Sequence, residues 1–138
     1  MSGVLAGVVA ALLWALLVAL YRAYRLKREF GPLSGTYQVT RKLSDQPEPE
    51  TVSISVKRNV LTVQSQGGDL YSGEIAMSEQ FSASGKGQYH QVKDRAQLWG
   101  FWDVQRKDED TILVHTTYAN PQSHAAVISG FVWKRIRQ

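Results

Sequence analysis

The pattern of apolar and polar positions divides the chain into two parts. From Gly3 to Leu20 there is no charged or strongly polar side chain, only Gly, Ala, Val, Leu and one Trp. These 18 residues would rise about 27 Å as an α-helix, close to the ~30 Å thickness of a bilayer's hydrocarbon core. Tyr21 and Tyr24 follow, where amphipathic rings favour the membrane interface. The pattern predicts a transmembrane helix over residues 1–24.

The rest of the chain has the pattern of short β-strands. Val, Ile, Thr, Tyr, Phe and Trp recur in short runs that turn residues separate, which is typical of all-β domains. The predicted strands are 36–43, 52–57, 60–65, 70–77, 81–92, 97–105, 111–118 and 125–136. Short connections favour antiparallel pairing of consecutive strands, and closure removes exposed edges. The predicted fold is therefore all-β, an eight-stranded antiparallel up-and-down barrel over residues 35–138, with a β-sandwich as the alternative.

Basic side chains are concentrated directly after the predicted helix. Four basic residues and one acidic residue give +3 in the first 29 positions, whereas 12 basic and 11 acidic residues give +1 over the other 109. The net charge of +4 is therefore mostly local, and no surface for duplex nucleic acid is evident. Residues 25–34 are predicted to be a basic juxtamembrane linker, because Gly31 and Pro32 disfavour a continuing helix.

The position of this cationic cluster orients the helix. Cytoplasmic flanks of membrane helices carry an excess of Lys and Arg, so Arg22, Arg25, Lys27 and Arg28 predict a single-pass membrane protein with a cytoplasmic barrel. A cleaved signal peptide is the rival interpretation, but it would need positive charge before the apolar run. No charged side chain precedes the run, so a retained helix is favoured.

Small residues recur at every fourth position of the helix. They are Gly3, Gly7, Ala11, Ala15 and Ala19. Small side chains at this spacing let two helix backbones approach closely in lipid, where packing drives association. The pattern predicts self-association into a homo-oligomer, and the alternative is the ordinary Gly and Ala content of a membrane helix.

Catalytic and metal-binding signatures are missing from the sequence. The absence of cysteine excludes disulfides and Cys-based zinc sites. His90, His115 and His124 do not form a metal-binding pair, and no phosphate-binding glycine loop or nucleophile elbow occurs. No enzymatic activity, cofactor or metal ion is therefore predicted.

Aromatic side chains are abundant in the β region. Trp99 and Phe101 fall on the opposite strand face from Trp102, so at least one aromatic ring should face outward or lie at a rim. The rings either fill a small core or line a pocket for a flat ligand such as a nucleobase.

A phosphate-bearing ligand would also need cationic and hydroxyl donors beside the aromatic faces. Arg41 shares a strand face with Tyr37 and Val39, which is unusual company for an arginine. The predicted ligand-binding residues are Arg41, Tyr71, Tyr89, Thr116, Tyr118, Ser129 and Arg135.

The two ends of the β region carry a resemblance to lipocalin-like barrels. In those proteins a G-x-W motif opens the first strand, and a basic side chain of the last strand packs over its ring. Gly35-Thr36-Tyr37 and Trp133-Lys134-Arg135 are similar, with Tyr in place of Trp. A cation–π contact gives the pairing a physical reason.

The order of parts resembles the transmembrane effectors of cyclic-oligonucleotide antiphage signalling (CBASS) systems. These effectors join membrane helices, commonly two, to an eight-stranded lipocalin-like barrel, whereas one helix is counted here. The resemblance implies an antiviral effector of the bacterial inner membrane whose barrel recognises a cyclic nucleotide and which then assembles in the membrane. The alternatives are a module that binds lipid or another apolar ligand, and a membrane-anchored adaptor.

A reporter fused after Gln138 tests the predicted orientation. The cationic flank should keep the barrel in the cytoplasm, so a reporter that works only there should be active. Activity on the periplasmic or extracellular side would contradict both the orientation and the sensing of a cytoplasmic ligand.

Overall fold

The computed structural model describes residues 2–41, 47–65, 71–93, 96–119 and 123–136, with the side chains of 3–40, 50–65, 71–90, 99–119 and 123–136. The helix α1 (Ser2–Phe30) is followed by a short 3-10 helix, Gly31–Leu33. The strands are β1 (Gly35–Arg41), β2 (Pro47–Lys57), β3 (Val60–Ser65), β4 (Tyr71–Met77), β5 (Ser84–Lys93), β6 (Ala96–Arg106), β7 (Thr111–Ala119) and β8 (Ala126–Arg135).

The eight strands form one closed barrel, and their order in space follows their order in the sequence. Each strand pairs antiparallel with the next, and β8 pairs antiparallel with β1, where Val39 stands opposite Trp133. The predicted barrel is confirmed, and the β-sandwich is not needed. Closure satisfies the backbone donors and acceptors that an open edge would leave unpaired.

The helix is longer than the sequence predicts. It continues past residue 24 to Phe30, so most of the segment 25–34 is helical rather than a linker. The reason is tertiary, because Leu26 and Phe30 are buried against the barrel. Arg106 Nη1 also donates a hydrogen bond of 3.3 Å to the carbonyl oxygen of Glu29, one of the helix-end acceptors that lack a partner within the helix.

Strand β2 also begins earlier than predicted. The alternation predicts a start at residue 52, but the strand begins at Pro47, which pairs with Thr40. Pro and Glu have low β-propensity, yet proline is tolerated at the first residue of a strand. Gln38 Nε2 donates a hydrogen bond of 3.0 Å to the carbonyl oxygen of Glu50, and this contact ties the added section to β1.

Alternation along the strands decides which side chains fill the barrel. In β3, for example, Leu61, Val63 and Ser65 are buried while the residues between them are more exposed.

We call the end of the barrel next to α1 the proximal end, and the opposite end the distal end. Phe30 and Leu33 are fully buried and belong to the same core as the strands, so the end of the helix closes the proximal end.

Arg135, at the end of β8, joins the helix exit to the barrel. Its guanidinium donates hydrogen bonds to the carbonyl oxygens of Ser34 (2.7 Å) and Pro32, and to the hydroxyl of Tyr37 (2.9 Å). Its Nε lies 3.2 Å from Asp110 Oδ1, and its Cζ lies 5.1 Å from the centre of the Tyr37 ring. The predicted packing of a basic side chain over this ring is confirmed.

Gly35 gives the guanidinium its space. Its φ of +149° is rare for residues with a side chain, and a Cβ at this position would lie 2.8 Å from Arg135 Nη1. The Gly-x-aromatic motif that opens β1 therefore has a geometric basis here, since the glycine makes room for the cation that covers the aromatic ring.

Replacing Arg135 with Met should lower the free energy of unfolding by about 2–4 kcal/mol. Several acceptors would lose a donor and Asp110 would lose its ion pair with Arg135. Lys134→Met is the matched control, because the exposed neighbouring side chain should contribute less than about 0.5 kcal/mol. Urea unfolding of the full chain in detergent, followed by near-UV circular dichroism, measures both. Equal stabilities of the two variants would contradict this role of Arg135.

Candidate functional site

Aromatic rings fill the middle of the barrel around Trp102. The Tyr89 ring stacks on Trp102 at a centroid distance of 5.1 Å and an interplanar angle of 22°. Tyr71 and Trp133 contact Trp102 edge-on at 6.0 and 5.9 Å. Such pairs stabilise a core beyond the area that they bury. This aromatic cluster separates the proximal part of the interior from the distal part.

A glycine in the barrel wall makes the cluster possible. A Cβ at Gly100 would lie 2.5 Å from Cζ of Tyr89, so any larger residue would displace this ring. Gly100 stands between Tyr89 on β5 and Tyr118 on β7 in the register of the sheet. Because Gly100 has no side chain, the ring of Tyr89 can lie directly against the backbone of β6.

Hydroxyl groups lie on the distal side of the aromatic cluster. Thr116 is buried and its hydroxyl is hydrogen-bonded to that of Tyr89. Ser129 stands opposite Thr116, and Tyr118 follows two residues further along the same face of β7. We call Tyr71, Tyr89, Thr116, Tyr118 and Ser129 the hydroxyl cluster. Five of the seven predicted ligand-binding residues therefore lie on the inner face of one part of the barrel.

Burial acts on two phenols of this cluster, those of Tyr89 and Tyr71. It raises the pKa of Tyr89, and the hydrogen bond to Thr116 opposes this shift only in part. Burial also raises the pKa of Tyr71, with a smaller contribution from the charge of Glu50. Neutral phenols and alcohols donate hydrogen bonds and present aromatic faces. The arrangement suits recognition of a ligand.

The two predicted arginines are placed differently from the hydroxyl cluster. Arg135 lies at the proximal end, where its guanidinium is engaged by the helix exit and Tyr37, so the structure does not bring it to the other five residues. The backbone of Arg41 stands opposite Phe131 near the distal end of β1. The side chain of Arg41 lies outside the described part of the chain, so its role stays a prediction.

Ser65 belongs to the same region and the sequence reasoning missed it. Its Oγ accepts a hydrogen bond of 3.1 Å from the backbone N–H of Tyr71 and lies 3.2 Å from the carbonyl oxygen of that residue. The signal was available, because Ser65 continues the buried alternation of Leu61 and Val63. A serine at a core position indicates a hydrogen-bonding role.

A second aromatic surface faces outward. Trp99, Phe101 and Ile128 are 67%, 59% and 70% exposed, which confirms that aromatic side chains of β6 face away from Trp102. Thr117 stands opposite both Phe101 and Ile128 and connects them across three strands. The His90 ring stacks on Trp99 at 4.8 Å. We call this surface the outer aromatic patch.

Comparison with known proteins identifies no relative. No protein-family model, curated protein or solved structure matches this chain.

Proposed function

We propose that the protein is a single-pass membrane protein whose cytoplasmic barrel binds a cyclic nucleotide at the hydroxyl cluster and which then assembles in the membrane as an antiviral effector. The observation that carries this proposal is the convergence of Tyr71, Tyr89, Thr116, Tyr118 and Ser129 on the distal interior, beside the stacked ring of Trp102. Aromatic faces next to hydroxyl donors are the chemistry that a nucleobase and its phosphate require.

The exposure of α1 supports the membrane anchor. The helix is long and apolar enough to cross a bilayer, and its 18-residue apolar window is 0% buried in the fold. Large side chains such as Leu5 and Leu12 are therefore exposed, and water would be a poor solvent for them. The last turns of the same helix close the barrel core through Leu26 and Phe30, which favours a retained helix over a cleaved signal peptide.

The shape of the interior favours a compact polar ligand over a fatty acid. A long acyl chain needs a deep apolar bore, and Trp102 with its neighbours occupies the middle of the barrel. A ligand that enters from the distal end would meet the hydroxyl cluster first. Stacking of one base on an aromatic ring contributes about 1–3 kcal/mol of binding free energy. A site that holds only one base can therefore add measurably to the affinity.

The outer aromatic patch supports a second candidate function, that of a membrane-anchored adaptor. Exposed Trp and Phe side chains are enriched at the centres of protein–protein interfaces. In this alternative the barrel is a scaffold, and a partner protein binds over Trp99 and Phe101 on the outside of β6.

Thermal unfolding of the full chain in nanodiscs tests ligand binding. Cyclic dinucleotides should raise the unfolding temperature, because a ligand that binds only the folded state stabilises it, by ~2.7 kcal/mol at a concentration of 100 times Kd. Thr116→Val should weaken binding five- to tenfold, the effect of losing a hydrogen bond worth ~1–1.4 kcal/mol. Thr117→Val makes the same change on the outer face of β7 and should bind like the unaltered chain.

The other outcomes of this experiment separate the alternatives. Stabilisation by fatty acids and not by cyclic dinucleotides would support the lipid-binding module. No stabilisation by either class would contradict a ligand site in the barrel and would leave the adaptor. Equal losses in Thr116→Val and Thr117→Val would show that the ligand does not contact the interior.

Gly7→Ile tests the assembly step. A Cβ at Gly7 meets no atom within 4 Å in the fold, so the larger side chain should leave the isolated chain unchanged and obstruct only close helix–helix packing. We expect weaker self-association in a membrane two-hybrid assay. Val9→Ile, on the opposite side of the helix two residues further on, is the control. Unaltered association of Gly7→Ile would show that the small residues do not form the contact.

A further inference from the structure

A groove runs between α1 and two turns at the proximal end of the barrel. Its helix wall extends from Trp14 to Leu26, and its barrel wall is formed by Arg58, Asn59 and Glu79, with a volume of about 590 Å³. We call it the helix groove. It lies outside the barrel and shares no residue with the hydroxyl cluster.

The two ends of the helix groove differ in polarity. Trp14 and Val18 line one end, and Arg22 and Arg58 line the other. Trp14 precedes Arg22 by eight residues, or ~12 Å along the helix axis. If Arg22 lies at headgroup depth, the groove continues through most of one ~15 Å leaflet. An apolar channel beneath a cationic rim matches one phospholipid molecule.

The two arginines at the rim of the groove differ in their ion pairs among the described residues. Arg22 is paired with Glu79 at 2.6 Å, so these two charges offset each other. Within the described chain Arg58 has no ion pair. Asn59 holds the turn beside it, because Asn59 Nδ2 donates a hydrogen bond of 2.8 Å to the carbonyl oxygen of Met77. A fixed turn that places an arginine without an ion pair in the described chain at the wall of the groove complements a phosphate.

The backbone of Arg58 has an unusual conformation. Its φ is +58°, a conformation that favours glycine or asparagine at the first position of a two-residue hairpin turn. An arginine in this backbone conformation is less stable than a glycine would be, because its Cβ is crowded at positive φ.

We infer that the helix groove binds one anionic phospholipid, with its headgroup phosphate at Arg58 and an acyl chain along the helix towards Trp14. The charge of the rim favours this occupant over the helix of a second copy, because a parallel second helix would bring its own basic flank to the depth of Arg58. This inference rests on the membrane-spanning helix of the proposed function and does not depend on nucleotide binding. Ala15 and Ala19 line the groove and also belong to the predicted stripe of small residues, so helix–helix packing beside a bound lipid would use Gly3, Gly7 and Ala11.

Native mass spectrometry of the full chain tests the inference. The protein is reconstituted with equal amounts of phosphatidylglycerol and phosphatidylcholine, released from detergent, and the retained lipids are counted. We expect one phosphatidylglycerol per chain. In Arg58→Gly the new glycine suits the turn conformation, so the turn should be kept. The number of phosphatidylglycerol molecules retained per chain should fall about fivefold, because one basic residue at a membrane surface contributes ~1 kcal/mol.

Matched variants separate the groove from the rest of the surface. Ala19→Leu should fill the groove and reduce lipid retention, whereas Ala10→Leu, nine residues away and on the opposite helix face, should not. Lys86→Gly removes an exposed cation of β5 that does not line the groove, and should retain lipid normally.

Three outcomes would overturn the inference. The first is that the chain retains phosphatidylglycerol and phosphatidylcholine equally. The second is that Arg58→Gly and Lys86→Gly lose the same amount of phosphatidylglycerol. The third is that the chain forms a dimer that holds no lipid and that Ala19→Leu dissociates. The same preparation reports on nucleotide binding, so a chain that retains phosphatidylglycerol but ignores cyclic dinucleotides contradicts only the proposed function. A chain that fails to float with vesicles contradicts the anchor and therefore both proposals.

Discussion

The guanidinium of Arg135 holds together three parts of the chain that are far apart in the sequence. It hydrogen-bonds the helix exit at Pro32 and Ser34, covers the Tyr37 ring at the start of β1, and pairs with Asp110 beside β7. A planar fork with five donors can serve all of these partners, which a lysine cannot do. Because β8 ends at this point and β1 begins there, the same contact closes the barrel and positions α1 against it.

This junction makes helix and barrel one structural unit. Leu26 and Phe30 extend the barrel core into the helix, and Arg106 binds the helix-end carbonyl of Glu29. A change in the packing of the barrel can therefore reach the helix through packed side chains and hydrogen bonds, without a flexible linker. The anchor and the proposed ligand site lie at opposite ends of this unit, and the aromatic cluster around Trp102 lies between them.

The aromatic cluster also constrains what the barrel can bind. An eight-stranded barrel has an interior just wide enough for its own side chains or one small ligand. Here Trp102, Tyr89 and Trp133 take up the middle, and Gly100 provides the space that the Tyr89 ring needs. The hydroxyl cluster lies on the distal side of these rings, where hydroxyl groups replace aliphatic side chains. The outer aromatic patch and the helix groove lie on other parts of the surface.

The sequence by itself determined the features that depend on local periodicity. An uninterrupted apolar run predicts the helix, and period-2 alternation predicts the eight strands, the inward face of β7 and the outward face of Trp99 and Phe101, because side-chain direction follows from backbone geometry. The tertiary structure decided what depends on contacts between distant residues. It extended α1 to Phe30 because the barrel buries that residue, and it extended β2 to Pro47 because β1 pairs with it. It also placed Arg135 at the proximal end, away from the hydroxyl cluster. Alternation shows which face of a strand a residue occupies, but only the register of the closed barrel shows at which end of the strand its partners lie.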